Sequence, residues 1–82
     1  MIKFKVEPEY PATARQFHIA GEVITHVTVG QDGKVESIDD AKGNLILQAS
    51  VKTVLRKWMF SPYVFEGKPT RFKTSLTFGF RM

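Results

Sequence analysis

The chain has no cysteine among its 82 residues. That excludes a disulfide framework and a thiolate metal centre, and leaves the redox compartment open. No run approaches the roughly 20 apolar residues of a membrane span. Met1 to Val6 is too short and too charged for a secretory signal, so any export signal or anchor would lie outside this sequence. No GxGxxG or GxxxxGK[ST] is present, so Gly30, Gly33 and Gly43 form no phosphate loop. The two histidines, His18 and His26, fall at the end of a short helix and on the outward side of a strand, where ordinary rim positions are expected. Asp32, Glu36, Asp39 and Asp40 are close together but lack calcium-loop spacing, and read as a solvated acidic edge. Ser37, Ser50, Ser61 and Ser75 have no recognisable base in sequence. These absences leave no catalytic centre and no cofactor to expect. Acid is scarce in one half: residues 42–82 hold eight Lys/Arg against Glu66 alone, while residues 1–41 hold four against seven. The positive charge is spread over a helix, a loop and a strand, which reads as solvated surface and not as a nucleic-acid footprint.

What is present is enough for one small core: 43% hydrophobic residues, with seven Phe, two Tyr and one Trp. The length predicts a single domain over 1–82. The organising stretch is LILQASVKTVLRKWMFSP, Leu45 to Pro62. Leu47, Val51, Val54, Leu55 and Trp58 form the apolar stripe of an amphipathic helix, with Gln48, Lys52 and Arg56 on the opposite face. Asn44 can cap its start, the cations near its end suit the helix dipole, and Pro62 stops it.

The other segments supply the sheet. Ile2, Phe4 and Val6 alternate with charges and predict a short strand or arm. Tyr10-Pro11 opens a short helix in which Ala14 and Phe17 share a face. Val23, Thr25, Val27 and Val29 predict a strand, and Gly30-Gln31-Asp32-Gly33 a tight turn. Lys34 to Ala41 returns as its partner. There Val35 and Ile38 are three apart, so a bulge near Glu36-Ser37 is needed to put both on one face. Tyr63 to Pro69 reads as a loop turning at Glu66-Gly67-Lys68-Pro69. The last strand is the cleanest, with Thr70, Phe72, Thr74, Leu76, Phe78 and Phe80 on one side, and Arg71, Lys73, Ser75, Thr77, Gly79 and Arg81 on the other.

The predicted fold class is α+β: two helices packed on one face of a three-stranded antiparallel sheet, in the order (β)-α-β-β-α-β. The last strand is expected beside the first hairpin strand and on the sheet edge. Its alternating Phe residues should face the helices and not a nucleic acid. The chain ends at Met82 just after that strand, so the edge is expected to be uncovered. A free edge is a template for an extended peptide, or simply an edge shielded by Arg71, Lys73 and Arg81.

Five short patterns then occur in register: Tyr10-Pro11-x-x-Ala14, Ile19-x-Gly21-x-Val23, Asp32-Gly33-x-Val35, Trp58-x-Phe60-x-Pro62 and Gly67-Lys68-Pro69. Together they resemble the TonB C-terminal domain family over about Val6 to Phe80. Met59 departs from that family's pattern, in which a basic residue commonly separates the two aromatics. The resemblance implies a non-enzymatic periplasmic domain of an energy transducer, tethered to the inner membrane in the full-length protein by an anchor and a proline-rich linker. It implies that the last strand takes the TonB box of an outer-membrane transporter as an added strand. The residues so implicated are Arg71, Phe72, Lys73, Thr74, Ser75, Leu76, Thr77 and Phe78, with Val6, Glu7 and Pro8 before the Tyr-Pro pattern. It further implies an inner-membrane motor complex, reached through the upstream part. A strand-swapped or edge-paired homodimer is a hazard of the open edge. The alternative is a TonB-like accessory domain that binds another periplasmic protein or cell-wall glycan.

Overall fold

The computed structural model describes residues 2–82. In chain order the elements are β1 (Ile2–Phe4), α1 (Ala12–Gln16), β2 (Gly21–Val29), β3 (Val35–Lys42), α2 (Leu45–Leu55), β4 (Met59–Phe60), β5 (Tyr63–Phe65), β6 (Lys68–Thr70) and β7 (Phe72–Phe80). The main sheet has the order β3-β2-β7, antiparallel throughout, with β2 in the middle. This is the expected α+β arrangement, with the last strand on an edge. Two further two-stranded pairs, β1-β4 and β5-β6, flank it.

β2 alternates as its β-branched residues require, and Val23, Thr25, Val27 and Val29 are buried. α2 starts where expected, with the Asn44 side chain accepting the Ile46 N–H at 2.8 Å. Its end differs from expectation. The Lys57 N–H bonds to the Val54 carbonyl and the Trp58 N–H to the Leu55 carbonyl, three residues back in each case. That tighter turn closes the helix at Leu55 and releases the chain as β4. Trp58 and Phe60 therefore reach the core from beyond the helix, and are 6% and 4% exposed. Gln48, expected on the wet face, is also buried; its amide donates to the Gly43 carbonyl at 2.8 Å, which satisfies it. Phe17, expected to share the buried face of Ala14, is 65% exposed, because α1 ends at Gln16 and Phe17 takes a non-helical cap conformation.

The bulge expected near Glu36 is present. Thr28 pairs with Ser37 and Val29 with Val35, leaving Glu36 extra. A second follows at Asp39, since His26 pairs with Asp40 and Val27 with Ile38. Together they bring Val35 and Ile38 onto the core. The segment read as a loop after Pro62 is instead a β-hairpin. Tyr63-Val64-Phe65 are good strand formers, and Glu66 (φ 51°) and Gly67 (φ 79°) both take the left-handed conformation of a two-residue hairpin turn. β6 and β7 form an almost continuous run over residues 68–80, about 43 Å at strand rise, which matches a longest dimension of 49 Å.

Candidate functional site

β7 is the outer strand beside β2, and its nine residues, Phe72 to Phe80, pair with Val29 to Gly21 without a register shift. The Thr25 hydroxyl donates to the Leu76 carbonyl at 3.1 Å, so that carbonyl lies on the β2 side. Backbone groups of a strand alternate in direction. Phe72, Thr74, Leu76 and Phe78 thus turn their N–H and C=O groups to β2. Lys73, Ser75, Thr77 and Gly79 turn theirs to the outer edge, which no strand occupies among the described residues.

The side chains divide in the same way. Phe78 is buried, Phe72, Thr74 and Leu76 are half-buried, and Arg71, Lys73, Ser75 and Thr77 are exposed. On the core side Phe78 meets the Trp58 ring edge-on at 5.5 Å between centroids, and Phe60 meets Phe72 at 5.9 Å. Trp58 also donates its Nε1–H to the Val6 carbonyl at 2.9 Å. A single indole thus joins the N-terminal arm to β7, the two halves of the sequence-predicted site. Val6 and Pro8 are half-buried, and Glu7 is exposed within 3.8 Å of Lys5 Nζ. On its other side the arm borders a groove of about 990 Å³ against α2, lined by Val6, Glu7, Leu45, Ile46 and Val54.

The wet face holds polar links that sequence reasoning missed. Arg71 Nε and Nη2 donate to the two carboxylate oxygens of Glu36 at 2.6 and 3.2 Å, across the width of the sheet. The ion pair holds the Arg71 guanidinium more firmly protonated than usual. Ser75 Oγ lies 2.8 Å from His26 Nδ1, so a serine with no base in sequence has a ring nitrogen in space; the pair is exposed and links β7 to β2. Asp39 accepts from Thr28 at 2.6 Å and from Ser37 at 2.7 Å, and these bonds hold its carboxyl below the usual range, with lesser help from Lys73 and His26. The Glu36 contact had a partial signal in the bulge that turns its side chain outward. The Ser75–His26 contact, 49 residues apart, had none.

The chemistry on offer is that of hydrogen-bonding backbone along an open edge, on a small α+β domain stiffened by one aromatic cluster. The chain belongs to the TonB C-terminal domain family: the family model described as "Gram-negative bacterial TonB protein C-terminal" matches residues 6–82. Among curated relatives it is 34% identical to protein TonB of Escherichia coli K12 over 65 residues, covering 77% of this chain and 26% of that protein. It is 24% identical to protein TonB of Vibrio cholerae, covering all of this chain and 34% of that one. The chain therefore spans a quarter to a third of these relatives. Among solved structures it resembles the solution structure of the Pseudomonas aeruginosa TonB C-terminal domain, with a TM-score of 0.80, 25% identity, and coverage of 100% of this chain and 85% of that one. The fold also matches the TonB2 protein of Vibrio anguillarum, with a TM-score of 0.62, 24% identity, and coverage of 100% and 82%.

The residues that carried the resemblance have evident structural work. Tyr10 donates its hydroxyl to the Ile19 carbonyl and meets Phe80 edge-on at 5.6 Å. Ala14 is fully buried. Gly33 has φ 85°, and a Cβ there would stand 2.0 Å from the Phe60 carbonyl oxygen, so only glycine lets β4 close on the turn.

Proposed function

We propose that this chain is the transporter-binding domain of a TonB-type energy transducer in the periplasm. It takes an extended transporter segment, the TonB box, as a strand added to the outer edge of β7. The observation that carries this reading is β7 itself: nine residues, unbulged, free of proline and acid, with one edge unpaired among the described residues. Membership of the family supports it. Backbone hydrogen bonds supply the grip, and side chains on either face supply selectivity. Arg71, Lys73, Ser75 and Thr77 border the segment on the wet side. Phe72, Thr74, Leu76 and Phe78 border it on the core side. Val6, Glu7 and Pro8 complete the contact from the arm, whose Val6 carbonyl the Trp58 indole holds. Binding and force transmission are non-enzymatic. On this reading the transducer's membrane tether and its link to an inner-membrane motor complex lie outside this transporter-binding domain.

Calorimetric titration with peptides carrying the TonB boxes of the same organism's transporters tests the proposal. Heat of binding from at least one peptide, weakened by Ser75→Pro, is the expected result. Absence of heat from every peptide at saturating concentration would move the assignment to an accessory domain with another periplasmic target. The same edge is open to a second copy, so sedimentation should show a monomer that gives way to a dimer as concentration rises.

A further inference from the structure

β7 does not begin at Phe72 in a structural sense, because β6 runs into it across Arg71 alone. An open edge 13 residues long, beside the exposed Tyr63, Val64 and Phe65, would be a liability for uncontrolled pairing. The geometry of the hairpin shows how that liability is limited.

Phe65 and Lys68 flank a two-residue turn with positive φ at both central positions, so they form the hydrogen-bonded pair that closes it. Pairs alternate along an antiparallel ladder. Val64 and Pro69 are therefore a non-bonded pair, and Tyr63 and Thr70 are bonded again. Lys68 and Thr70 thus face β5 with their backbone groups, just as Phe72, Thr74, Leu76 and Phe78 face β2. The parity is unbroken through Arg71. Side-chain exposure alternates without a break from Pro69 to Lys73, so β5 continues the β2 side of the strand, and the Tyr63 and Phe72 rings, 5.9 Å apart, share its core face. The opposite side is left to positions 69, 71, 73, 75, 77 and 79. Five of these carry both a donor and an acceptor. Position 69 is proline, which has no N–H to give.

We propose that Pro69 is a built-in stop that limits strand addition on this edge to a ladder formed by Arg71, Lys73, Ser75, Thr77 and Gly79. A partner strand finds donor and acceptor at each of these positions and loses its next donor at Pro69. The apolar hairpin is thereby kept out of the pairing edge at no cost to its own ladder, because the missing N–H points away from β5. This stop defines the length and register of the segment accepted, and it rests on the strand-addition reading only for the identity of the partner.

The test is Pro69→Thr, which restores an N–H and keeps a good strand former. Hydrogen exchange in the free protein should find the new amide at position 69 fast, together with those of residues 71, 73, 75, 77 and 79. The amides of residues 68, 70, 72, 74, 76 and 78 should be slow. Sedimentation should show self-association of the variant tightened about tenfold to a hundredfold, the net worth of two added hydrogen bonds, one from each copy of a two-fold pair. A protected amide at position 69, protection that does not alternate, or an unchanged dimer constant would overturn the stop. If alternation and tightening hold while no TonB-box peptide binds, the stop stands and only the transporter assignment falls.

Discussion

The main sheet has two edge strands, and they are built differently. β3 is bulged twice, at Glu36 and Asp39, and carries Glu36, Asp39 and Asp40 along its eight residues. β7 runs nine residues with no register shift and no acid. Bulges and charges are the usual means by which an edge is closed to further strands. β3 is therefore the better protected edge, and β7, with Lys73 as its one charge, the more open. The two are coupled: Glu36, which β3 bulges out, is the residue that holds Arg71 at the start of β7. The closed edge steadies the open one.

The largest expected effect comes from removing what holds β7 in place. Trp58→Ala empties the site between Val6, Phe60 and Phe78, and should cost about 3–5 kcal/mol in chemical denaturation, a large share of a small domain's stability. An unfolding midpoint unchanged within error would remove Trp58 from the centre of the account.

Next comes a pair of substitutions one residue apart. Thr74→Pro removes an N–H that faces β2 and should destabilise the domain by about 3 kcal/mol or more. Ser75→Pro removes one that faces the open edge. It should cost less than half as much in denaturation and should abolish most peptide binding, whereas Ser75→Ala should leave binding nearly intact. Equal destabilisation by the two prolines would show that the two sides of β7 are not distinct.

Smaller effects lie on the wet face. Arg71→Ala breaks the pair with Glu36, but both side chains are substantially exposed. The loss of stability should be slight and should shrink with added salt. The smallest effect concerns Asp39, whose carboxyl is held below its ordinary value by Thr28 and then Ser37. Its contribution is whole above the unfolded-state value near pH 4 and is lost as pH falls through the lower folded value. Asp39→Asn should flatten that segment of the acid stability curve, as read by thermal unfolding at stepped pH.

Strands β2 and β7 and the start of α2 were legible because alternation and capping are local signals. Glu36 was legible as a bulge because Val35 and Ile38 could not otherwise share a face. The end of α2 was not, since the apolar stripe continues through Trp58 at helical spacing although the backbone leaves the helix after Leu55. Periodicity reports which residues are buried more faithfully than how the chain carries them there. The hairpin after Pro62 reads as a loop in sequence because a Glu-Gly turn flanked by three-residue strands has too few alternations to show. Of the candidate site, the strand and the arm are legible from the sequence, but the indole that joins them shows there only as the last residue of the helix's apolar stripe. The Ser75–His26 and Arg71–Glu36 contacts depend on strand order and register, which no local pattern encodes.

The difference between the two edges is tested most directly by amide chemical-shift mapping with a TonB-box peptide that binds. Shifts concentrated on residues 71–79, with further shifts at Val6, Glu7 and Glu9 and none along β3, are the expected result. Shifts centred on β3, or a bound peptide that leaves residues 71–79 unmoved, would contradict it.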